Sequence, residues 1–229
     1  MKRALAALPL LFAFVASGPA HAQSSEWEVL NDEVTSLYRQ GRYERALVVA
    51  KMALLIAEQA LGPNHPDVAK SLNNIAGLYY AQGQYELAEP LFTRSLLIRE
   101  KSLDPEHTDL GTSLNNLASL YHIQGIYVLA ESLFKLSLAI SEKALGSWHP
   151  EVATSLSNLA GLYNTQGQYV RAEPLFKRSL AIRETALGPN HPAVATNLEN
   201  LADLYRKTNR EMMAKDLEKR AVDIKKIKR

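Results

Sequence analysis

Hydrophobic residues recur along this chain at the spacing of one face of an α-helix. In one stretch the apolar residues follow the i, i+3, i+4, i+7 pattern of an amphipathic helix: Leu72, Ile75, Ala76 and Tyr79. Gly83 follows shortly afterwards, and glycine is common at helix C-termini because it adopts the left-handed backbone conformation without steric cost. The pattern therefore predicts an amphipathic helix that ends near Gly83.

A second amphipathic helix is predicted directly after this glycine. Its apolar stripe runs to about Leu103 and contains Tyr85, Ala88, Leu91, Phe92, Ser95 and Leu96. The segment LDPEHTDL then turns the chain, and the equivalent segments elsewhere read LGPNHPDV, LGSWHPEV and LGPNHPAV. A proline after the histidine suits the first turn of the next helix, because the N–H that proline lacks is not used there. The two helices therefore form one helical hairpin.

The hairpin recurs at intervals of 42 residues, with the similar strings SLNNIAGLYY, SLNNLASLYH and SLSNLAGLYN starting at residues 71, 113 and 155. Small residues recur where the two helices must approach, namely Ala76, Ala118, Ala160 and Ala202 on the first helix and Ala46, Ala88, Ala130, Ala172 and Ala214 on the second. One hairpin cannot bury both apolar stripes, but stacked hairpins can. We therefore predict an all-α solenoid of about five hairpins, at about residues 27–66, 67–108, 109–150, 151–192 and 193–229.

The outermost copies depart from this pattern. Glu33 stands in the first copy where Ile75 stands in the second. In the last copy Asn209 replaces the glycine, and Glu218 occupies the position of Phe92. Terminal copies of a repeat array are atypical because one of their faces meets solvent. We therefore expect a complete array with a capping copy at each end.

The pattern L-x2-I-A-x2-Y, then G-x-Y-x2-A-x3-F, begins at Leu72 and resembles the tetratricopeptide repeat (TPR); the copies at Leu114 and Leu156 match equally well. The standard unit has about 34 residues. The 42-residue unit with LNNLA and HPxVA segments is similar to the kinesin light chain type, which also occurs in many bacterial proteins. The resemblance covers residues 23–229. It implies a right-handed TPR solenoid that binds peptide segments of protein partners along its concave face, with no catalytic activity and no cofactor.

The first 22 residues have the layout of a secretory signal peptide. A basic start, Lys2 and Arg3, precedes an apolar run at residues 4–15 and an A-x-A cleavage site at Ala20 and Ala22. We expect cleavage after Ala22 and an exported protein of the periplasm or the medium. An uncleaved anchor is the alternative, although the apolar run is shorter than the ~20 residues that span a bilayer. The chain contains no cysteine, which excludes disulfides and a lipidated cleavage site.

Charge is distributed unevenly along the chain. Residues 23–205 contain 14 Lys and Arg against 20 Asp and Glu, whereas residues 206–229 contain 10 against 4. The simpler interpretation is a charged end that keeps the last helix soluble. The functional alternative is a basic tail that binds anionic lipid or polysaccharide. We do not expect nucleic acid as a partner, because an exported protein rarely meets it.

The inner face of each first helix supplies the candidate binding residues. In the TPR family this face contacts the partner. Carried over to this chain, the resemblance implies the partner-binding residues Asn31, Tyr38, Lys70, Asn73, Gly77, Tyr80, Asn115, Ser119, His122, Ser157, Asn164, Glu199 and Arg206. The more faithfully repeated Asn74, Asn116, Asn158 and Asn200 are interpreted as structural. The alternative is that these residues are ordinary polar side chains on a solvated face.

The asparagines of this set predict recognition of a peptide main chain. An amide side chain has donors and an acceptor, so it can pair with a backbone in either sense. Tyr80, His122 and Asn164 occupy one repeat position and differ, which predicts side-chain preference. Ser157 and Glu199 break the asparagine row, so we do not expect a uniform backbone clamp beyond the third hairpin.

Four histidines recur at the 42-residue spacing, namely His65, His107, His149 and His191. Equivalent points on neighbouring packed helices are about 8–10 Å apart, whereas zinc binds histidine nitrogens at about 2 Å. These histidines cannot share one ion, and we interpret them as turn or cap residues. The sequence contains no nucleophile elbow, phosphate loop or HExxH motif, so we expect neither a metal site nor an enzyme.

The sequence therefore predicts a non-catalytic scaffold for protein–protein interaction. Two alternatives remain. The chain could be a structural subunit that pairs with itself or with a larger complex through its end faces, which an exposed apolar strip of Val222, Ile224 and Ile227 would favour. It could also be an envelope-surface adaptor that uses its basic last helix.

Overall fold

The computed structural model describes residues 20–227, with side chains from Glu26 onward, and the regular structure in this range is entirely helical. The helices of the described range are α1 (Ala20–Arg39), α2 (Tyr43–Leu61), α3 (Pro66–Ala81), α4 (Tyr85–Ser102), α5 (Thr108–Ile123), α6 (Tyr127–Leu145), α7 (Pro150–Thr165), α8 (Tyr169–Leu187), α9 (Pro192–Lys207) and α10 (Glu211–Ile227). Residues 1–19, which hold most of the predicted signal peptide, lie outside the described residues. The prediction of an all-α array of five helical hairpins is confirmed.

Each hairpin turns on a residue in the left-handed backbone conformation. In the first four hairpins this residue is a glycine with φ between 71° and 78°, namely Gly41, Gly83, Gly125 and Gly167. In the last hairpin it is Asn209, with φ of 58°. Asparagine tolerates this conformation better than most residues that carry a Cβ. Asn209, which replaces the turn glycine in the last hairpin, therefore preserves the turn.

The four repeated histidines are N-caps of the helices that follow them. The Nδ1 atom of His65 accepts a hydrogen bond from the backbone N–H of Asp67 at 3.2 Å, and His107, His149 and His191 make the equivalent bond at 3.2–3.3 Å. Each bond satisfies one of the backbone donors that a helix start leaves without an intrahelical partner. The prediction of cap residues is confirmed. Within residues 20–227, no group of three or more His, Asp and Glu side chains could hold a metal ion.

The small residues predicted at the helix crossings are buried, because each of those nine alanines exposes at most 1% of its surface. Phe134 and Phe176 lie beside them in one apolar cluster that extends across the last three hairpins. The core is therefore shared between neighbouring hairpins, as the stacking argument requires. Glu218 occupies the equivalent position in the last hairpin, where it accepts a hydrogen bond from Arg206 at 2.6 Å instead of entering a core.

The stacking of the hairpins makes one face of the array concave. The first helix of each hairpin contacts the first helix of the next, as α1 contacts α3 and α3 contacts α5. The second helices of the described hairpins, α2, α4, α6, α8 and α10, do not contact one another. Because the first helices are closer together, they form the inner surface of the curve. This places the odd-numbered helices where a partner segment would lie.

Tyrosines near the ends of the first helices join consecutive hairpins. Tyr163 donates from its hydroxyl to Glu131 of the preceding hairpin at 2.9 Å, and Tyr121 and Tyr205 make the same type of bond. The hydrogen bond from Lys135, together with those from Arg171 and Tyr163, lowers the pKa of Glu131 to about 2. The Glu131 carboxylate is therefore ionised at neutral pH and connects α6 to α7 and α8.

The basic C-terminal end is largely neutralised by ion pairs. Six of its basic side chains have a carboxylate partner within 3.2 Å, namely Arg206, Lys207, Arg210, Arg220, Lys225 and Lys226. The apolar strip considered on the last helix is interrupted: Val222 and Ile227 are exposed, but Ile224 exposes only 3% of its surface and belongs to the core. No helix of residues 20–227 is long and apolar enough to cross a membrane.

Candidate functional site

The concave face contains a groove of about 560 Å³ along the first three hairpins, which we call the concave groove. Side chains of α1, α3, α5 and α7 form most of its walls. It brings together six of the residues predicted from the sequence: Tyr38, Asn73, Gly77, Tyr80, Asn115 and Ser119. The other seven predicted residues do not line it.

An asparagine ladder crosses the floor of the groove. Asn74 donates from Nδ2 to Oδ1 of Asn31 at 2.8 Å. The same bond recurs from Asn116 to Asn73 and from Asn158 to Asn115, each at 2.9 Å. The second asparagine of each repeat thus holds the first asparagine of the preceding repeat, which supports the structural role inferred for Asn74, Asn116 and Asn158. All three also line the groove.

The ladder determines which atoms remain for a ligand. The Oδ1 atoms of Asn73 and Asn115 accept from the ladder, whereas their Nδ2 groups make no hydrogen bond to another described residue. Asn31 also uses its Nδ2 group, which donates to the carbonyl of Trp27 at 2.8 Å, and it is buried. The groove therefore offers amide donors from Asn73 and Asn115. The Oδ1 atom of each of these two asparagines accepts one ladder bond and keeps a second lone pair, so pairing with a peptide backbone in either sense stays a prediction.

Aromatic rings flank the groove at the ends of the first helices. The ring of Tyr38 lies 5.5 Å from that of Tyr43, and Tyr80 lies 5.6 Å from Tyr85, measured between centroids. Burial, with smaller contributions from Tyr85 and Tyr38, raises the pKa of Tyr80, which remains a neutral phenol. These ring contacts place two aromatic side chains, Tyr38 and Tyr80, at the edge of the groove.

His122 continues the aromatic row but lies outside the groove lining. Its ring stands 6.1 Å from that of Tyr127, and its Nε2 atom is 3.0 Å from the hydroxyl of Thr165. Burial lowers the pKa of His122, so the imidazole is neutral at pH 7. The structure therefore gives the Nε2 atom of His122 a contact with the next hairpin, outside the groove lining.

Gly77 leaves open space in the groove wall. A Cβ atom added there would meet no atom within 4 Å. Ser119, the equivalent residue one repeat later, donates its hydroxyl to the backbone carbonyl of Asn115 at 2.9 Å and so turns it away from a ligand. The groove wall therefore has room for a partner side chain beside Gly77.

The inner face of the last two hairpins is occupied by the protein's own contacts. Ser157 is buried and lies 2.8 Å from the hydroxyl of Ser179. Asn164 donates to Asp203 at 2.8 Å. Glu199 accepts from Lys225 at 2.5 Å, and Arg206 pairs with Glu211 and Glu218. The break predicted after the third hairpin thus coincides with the end of the groove.

Lys70 also lies away from the groove lining. It is exposed, and its ammonium nitrogen stands 5.1 Å from the centroid of the Trp27 ring, where a cation is attracted by the π electrons. Conversely, Val34 and Arg39 line the groove but were not predicted, and Thr35, which lies between Asn31 and Tyr38 on the inner face, lines it too. Arg39 lies two turns after Asn31 on the same helical face, so helical periodicity could have identified it.

The groove has the chemistry of a recognition surface. Its lining contains one basic side chain, that of Arg39, and no carboxylate. Amide and phenol donors predominate, and these suit the carbonyl or carboxylate groups of a partner.

Comparison with known proteins agrees with this architecture. The family model described as "Tetratricopeptide repeat" matches residues 29–101, 67–143, 109–185 and 151–227 in overlapping sets. No curated protein matches the chain. Among solved structures, a protein of Podosopora anserina designated a kinesin light chain, with nearly identical TPR-like repeats, is 26% identical, with a TM-score of 0.69 over 92% of this chain and 97% of that one.

Two further solved structures share the fold. BtubC (BKLC) from P. vanneervenii is 22% identical, with a TM-score of 0.72 over 91% of this chain and 90% of its own. A Rap protein, solved in complex with Competence and Sporulation Factor, is 18% identical, with a TM-score of 0.72 over 87% of this chain and 54% of its own. Repeats of the kinesin light chain type thus extend along the array, and the chain belongs to the tetratricopeptide repeat family.

Proposed function

We propose that this protein is a scaffold that binds an extended segment of a partner protein in the concave groove. TPR proteins are in general non-catalytic scaffolds for protein–protein interaction, and this supports the general class. The observation that carries the specific proposal is the pair of free Nδ2 groups of Asn73 and Asn115, held by the ladder in a groove of about 560 Å³.

The free donors favour an extended partner over a helical one. A helix uses its backbone carbonyls internally, whereas an extended segment leaves them free. Neighbouring first helices are about 8–10 Å apart. In an extended segment of polyproline II conformation, carbonyls three residues apart face the same side and lie about 9 Å apart. Asn73 and Asn115 would then donate to carbonyls three residues apart. The phenol rings of Tyr38 and Tyr80 would cover apolar side chains beside them.

The first experiment is capture of a partner from an extract of the producing cells with the natural protein as bait. A second bait carries Asn73→Asp and Asn115→Asp. These changes keep the Oδ1 acceptors of the ladder but replace each free donor with a charged acceptor that repels a carbonyl. We expect the captured partner to be lost.

A matched control bait carries Asn64→Asp and Asn190→Asp. Both asparagines are exposed in turns between hairpins, so this bait has the same change in net charge away from the groove. The control should capture the partner as the natural protein does. Equal capture by all three baits would contradict the groove proposal, and loss with both variants would show that net charge, not the groove, controls binding.

We also propose that the protein is exported and acts in the periplasm, as a bacterial exported type of this repeat family. The basic start, the apolar run and the A-x-A site of residues 1–22 support this proposal. The first buried side chain of the described residues is Trp27, so cleavage after Ala22 would remove no part of the described core. The mass of the protein from a periplasmic fraction tests it: a chain that starts at Gln23 is expected, and an intact Met1 in the cytoplasmic fraction would contradict it.

A further inference from the structure

The junctions between consecutive hairpins are closed by a donor side chain, and one junction lacks it. At the first junction, Trp27 donates from its indole N–H to the hydroxyl of Ser71 at 2.8 Å. At the second, Arg99 donates from Nη1 to the hydroxyl of Ser113 and to the backbone carbonyl of Asp109, both at 2.8 Å.

The fourth junction is closed in the same way. Arg183 stands two repeats after Arg99 and donates from Nη1 to the carbonyl of Ala193 at 3.2 Å. Ser141 occupies this repeat position in the third hairpin, 42 residues after Arg99 and 42 residues before Arg183. Its side chain is too short to span from α6 to α7. The third junction therefore keeps acceptors equivalent to those that Arg99 bonds at the second junction, without a guanidinium group.

A cleft of about 270 Å³ lies at this third junction, and we call it the junction cleft. Ser141 and Ser155 line it together with Glu151, the residues equivalent to Arg99, Ser113 and Asp109. Its lining includes one carboxylate and no basic side chain. A cation that enters would therefore meet the same acceptors that Arg99 meets one repeat earlier.

A second substitution enlarges the cleft. Gly111 lies in its wall where the second, fourth and fifth repeats have Ala69, Ala153 and Ala195, all fully buried. A Cβ atom added at Gly111 would approach the Ser141 hydroxyl to 3.5 Å, so the missing methyl group leaves space beside that hydroxyl. Two residues of the third hairpin, Gly111 and Ser141, are thus smaller than their counterparts at the second and fourth junctions.

The junction cleft adjoins the concave groove. Asn115 and Asn116 line both of them. Thr112 and Thr154, which are exposed on neighbouring first helices, also line the cleft. A side chain from a segment in the groove can therefore enter between α5 and α7.

We propose that the junction cleft is a guanidinium site, which takes an arginine side chain of the partner segment; this inference rests on the proposed function of the groove. The planar guanidinium group has five N–H donors in a fork, enough to reach a backbone carbonyl, a hydroxyl and a carboxylate together. Arg99 shows within this same chain that a guanidinium fits this arrangement of acceptors.

The test uses N-acetyl-arginine amide as a probe, added to the ¹⁵N-labelled protein and followed by NMR. We expect saturable shifts of the Gly111, Ser141 and Ser155 amides, with a dissociation constant on the order of millimolar for a ligand of this size. N-acetyl-citrulline amide, which has the same shape without the charge, should bind at least about tenfold more weakly. Equal shifts with both probes, or no shifts, would overturn the proposal.

Variants locate the site. Ser141→Arg should fill the cleft from within, as Arg99 does, and abolish the probe shifts while the protein stays folded. Gly111→Ala is a milder change to the residue of the other repeats, and it should weaken the shifts. Arg99→Ser should create a second site with shifts at Ser113. Probe shifts that persist in Ser141→Arg would contradict the assignment.

Partner binding by two variants distinguishes a failure of this inference from a failure of the proposed function. A groove variant with Asn73→Asp alone, which leaves the residues of the cleft lining unchanged, should lose the partner but keep the arginine-selective probe shifts, whereas Ser141→Arg should weaken partner binding. If the groove variant retains the partner, the proposed function fails while the probe still reports on the cleft. If the groove variant loses the partner but Ser141→Arg binds it normally, insertion of an arginine is excluded.

Discussion

Two glycines of the same hairpin have different roles in this protein. Gly83 and Gly77 both belong to the second hairpin, but only Gly83 has a left-handed φ, of 74°. Gly77 lies in the interior of α3 beside the open groove. Sequence comparison of the copies identified the turn glycine, because it recurs in three further hairpins. It could not show that Gly77 faces open space, because that depends on the curvature of the array.

Alanine substitutions of these two glycines should have opposite effects. Gly77→Ala should raise the free energy of unfolding by about 0.5–1 kcal/mol, because alanine is the better helix former and the added Cβ meets no neighbour. Gly83→Ala should lower it by about 1 kcal/mol, because a Cβ is disfavoured at positive φ. Urea unfolding of the two variants measures both changes. Stabilisation by Gly83→Ala would contradict the assigned turn.

The lowered pKa of Glu131 predicts that the stability of the protein depends on pH. Its pKa is about 2 in the folded protein against an ordinary value of 4.5, so the folded state favours the ionised form. Its stabilising contribution is therefore fully present above about pH 4.5 and declines as the pH falls toward 2. Glu131→Gln should be less stable than the natural protein at pH 7, and the difference should shrink over this range. A difference that is constant between pH 7 and pH 2.5 in thermal unfolding would contradict the ion-pair account.

At the scale of elements, the histidine caps and the turn residues explain where the helices begin and end. The sequence alone predicted the hairpins because the helical periodicity and the turn signals are local and recur several times. It could not predict the asparagine ladder, because that connects residues 43 positions apart, such as Asn31 and Asn74, across two stacked hairpins. For the same reason the burial of Ser157 was not evident from a comparison of copies.

The caps should contribute unequally to stability. His149 precedes Pro150, which already fixes the backbone of the first helical turn, whereas His107 precedes Thr108. His107→Ala should therefore cost about 1 kcal/mol of unfolding free energy, within the usual range for loss of an N-cap. His149→Ala should cost less. Chemical denaturation of both variants tests this order, and an equal or larger loss at His149 would show that the proline contributes nothing to the helix start.

At the scale of the whole molecule, the two ends of the inner face differ. The first three hairpins present an open groove with free amide donors, whereas Asn164, Glu199 and Arg206 of the last two bond to other parts of the protein. The repeats predicted that an inner face exists. Which part of it is open depends on pairs of side chains from different helices, and a single sequence does not specify those pairs. The central claim is that partners bind only at the open part.

The most direct test of this claim is the affinity of a captured partner for two matched variants, measured by isothermal titration calorimetry. Gly77→Phe places a ring in the groove, and Gly161→Phe places one two repeats later, outside the groove lining. Neither added Cβ meets an atom within 4 Å, so both variants should fold. We predict that Gly77→Phe weakens binding by about tenfold or more, or about 1.4 kcal/mol, and that Gly161→Phe has little effect. Equal affinity of the Gly77→Phe variant and the natural protein would contradict the claim.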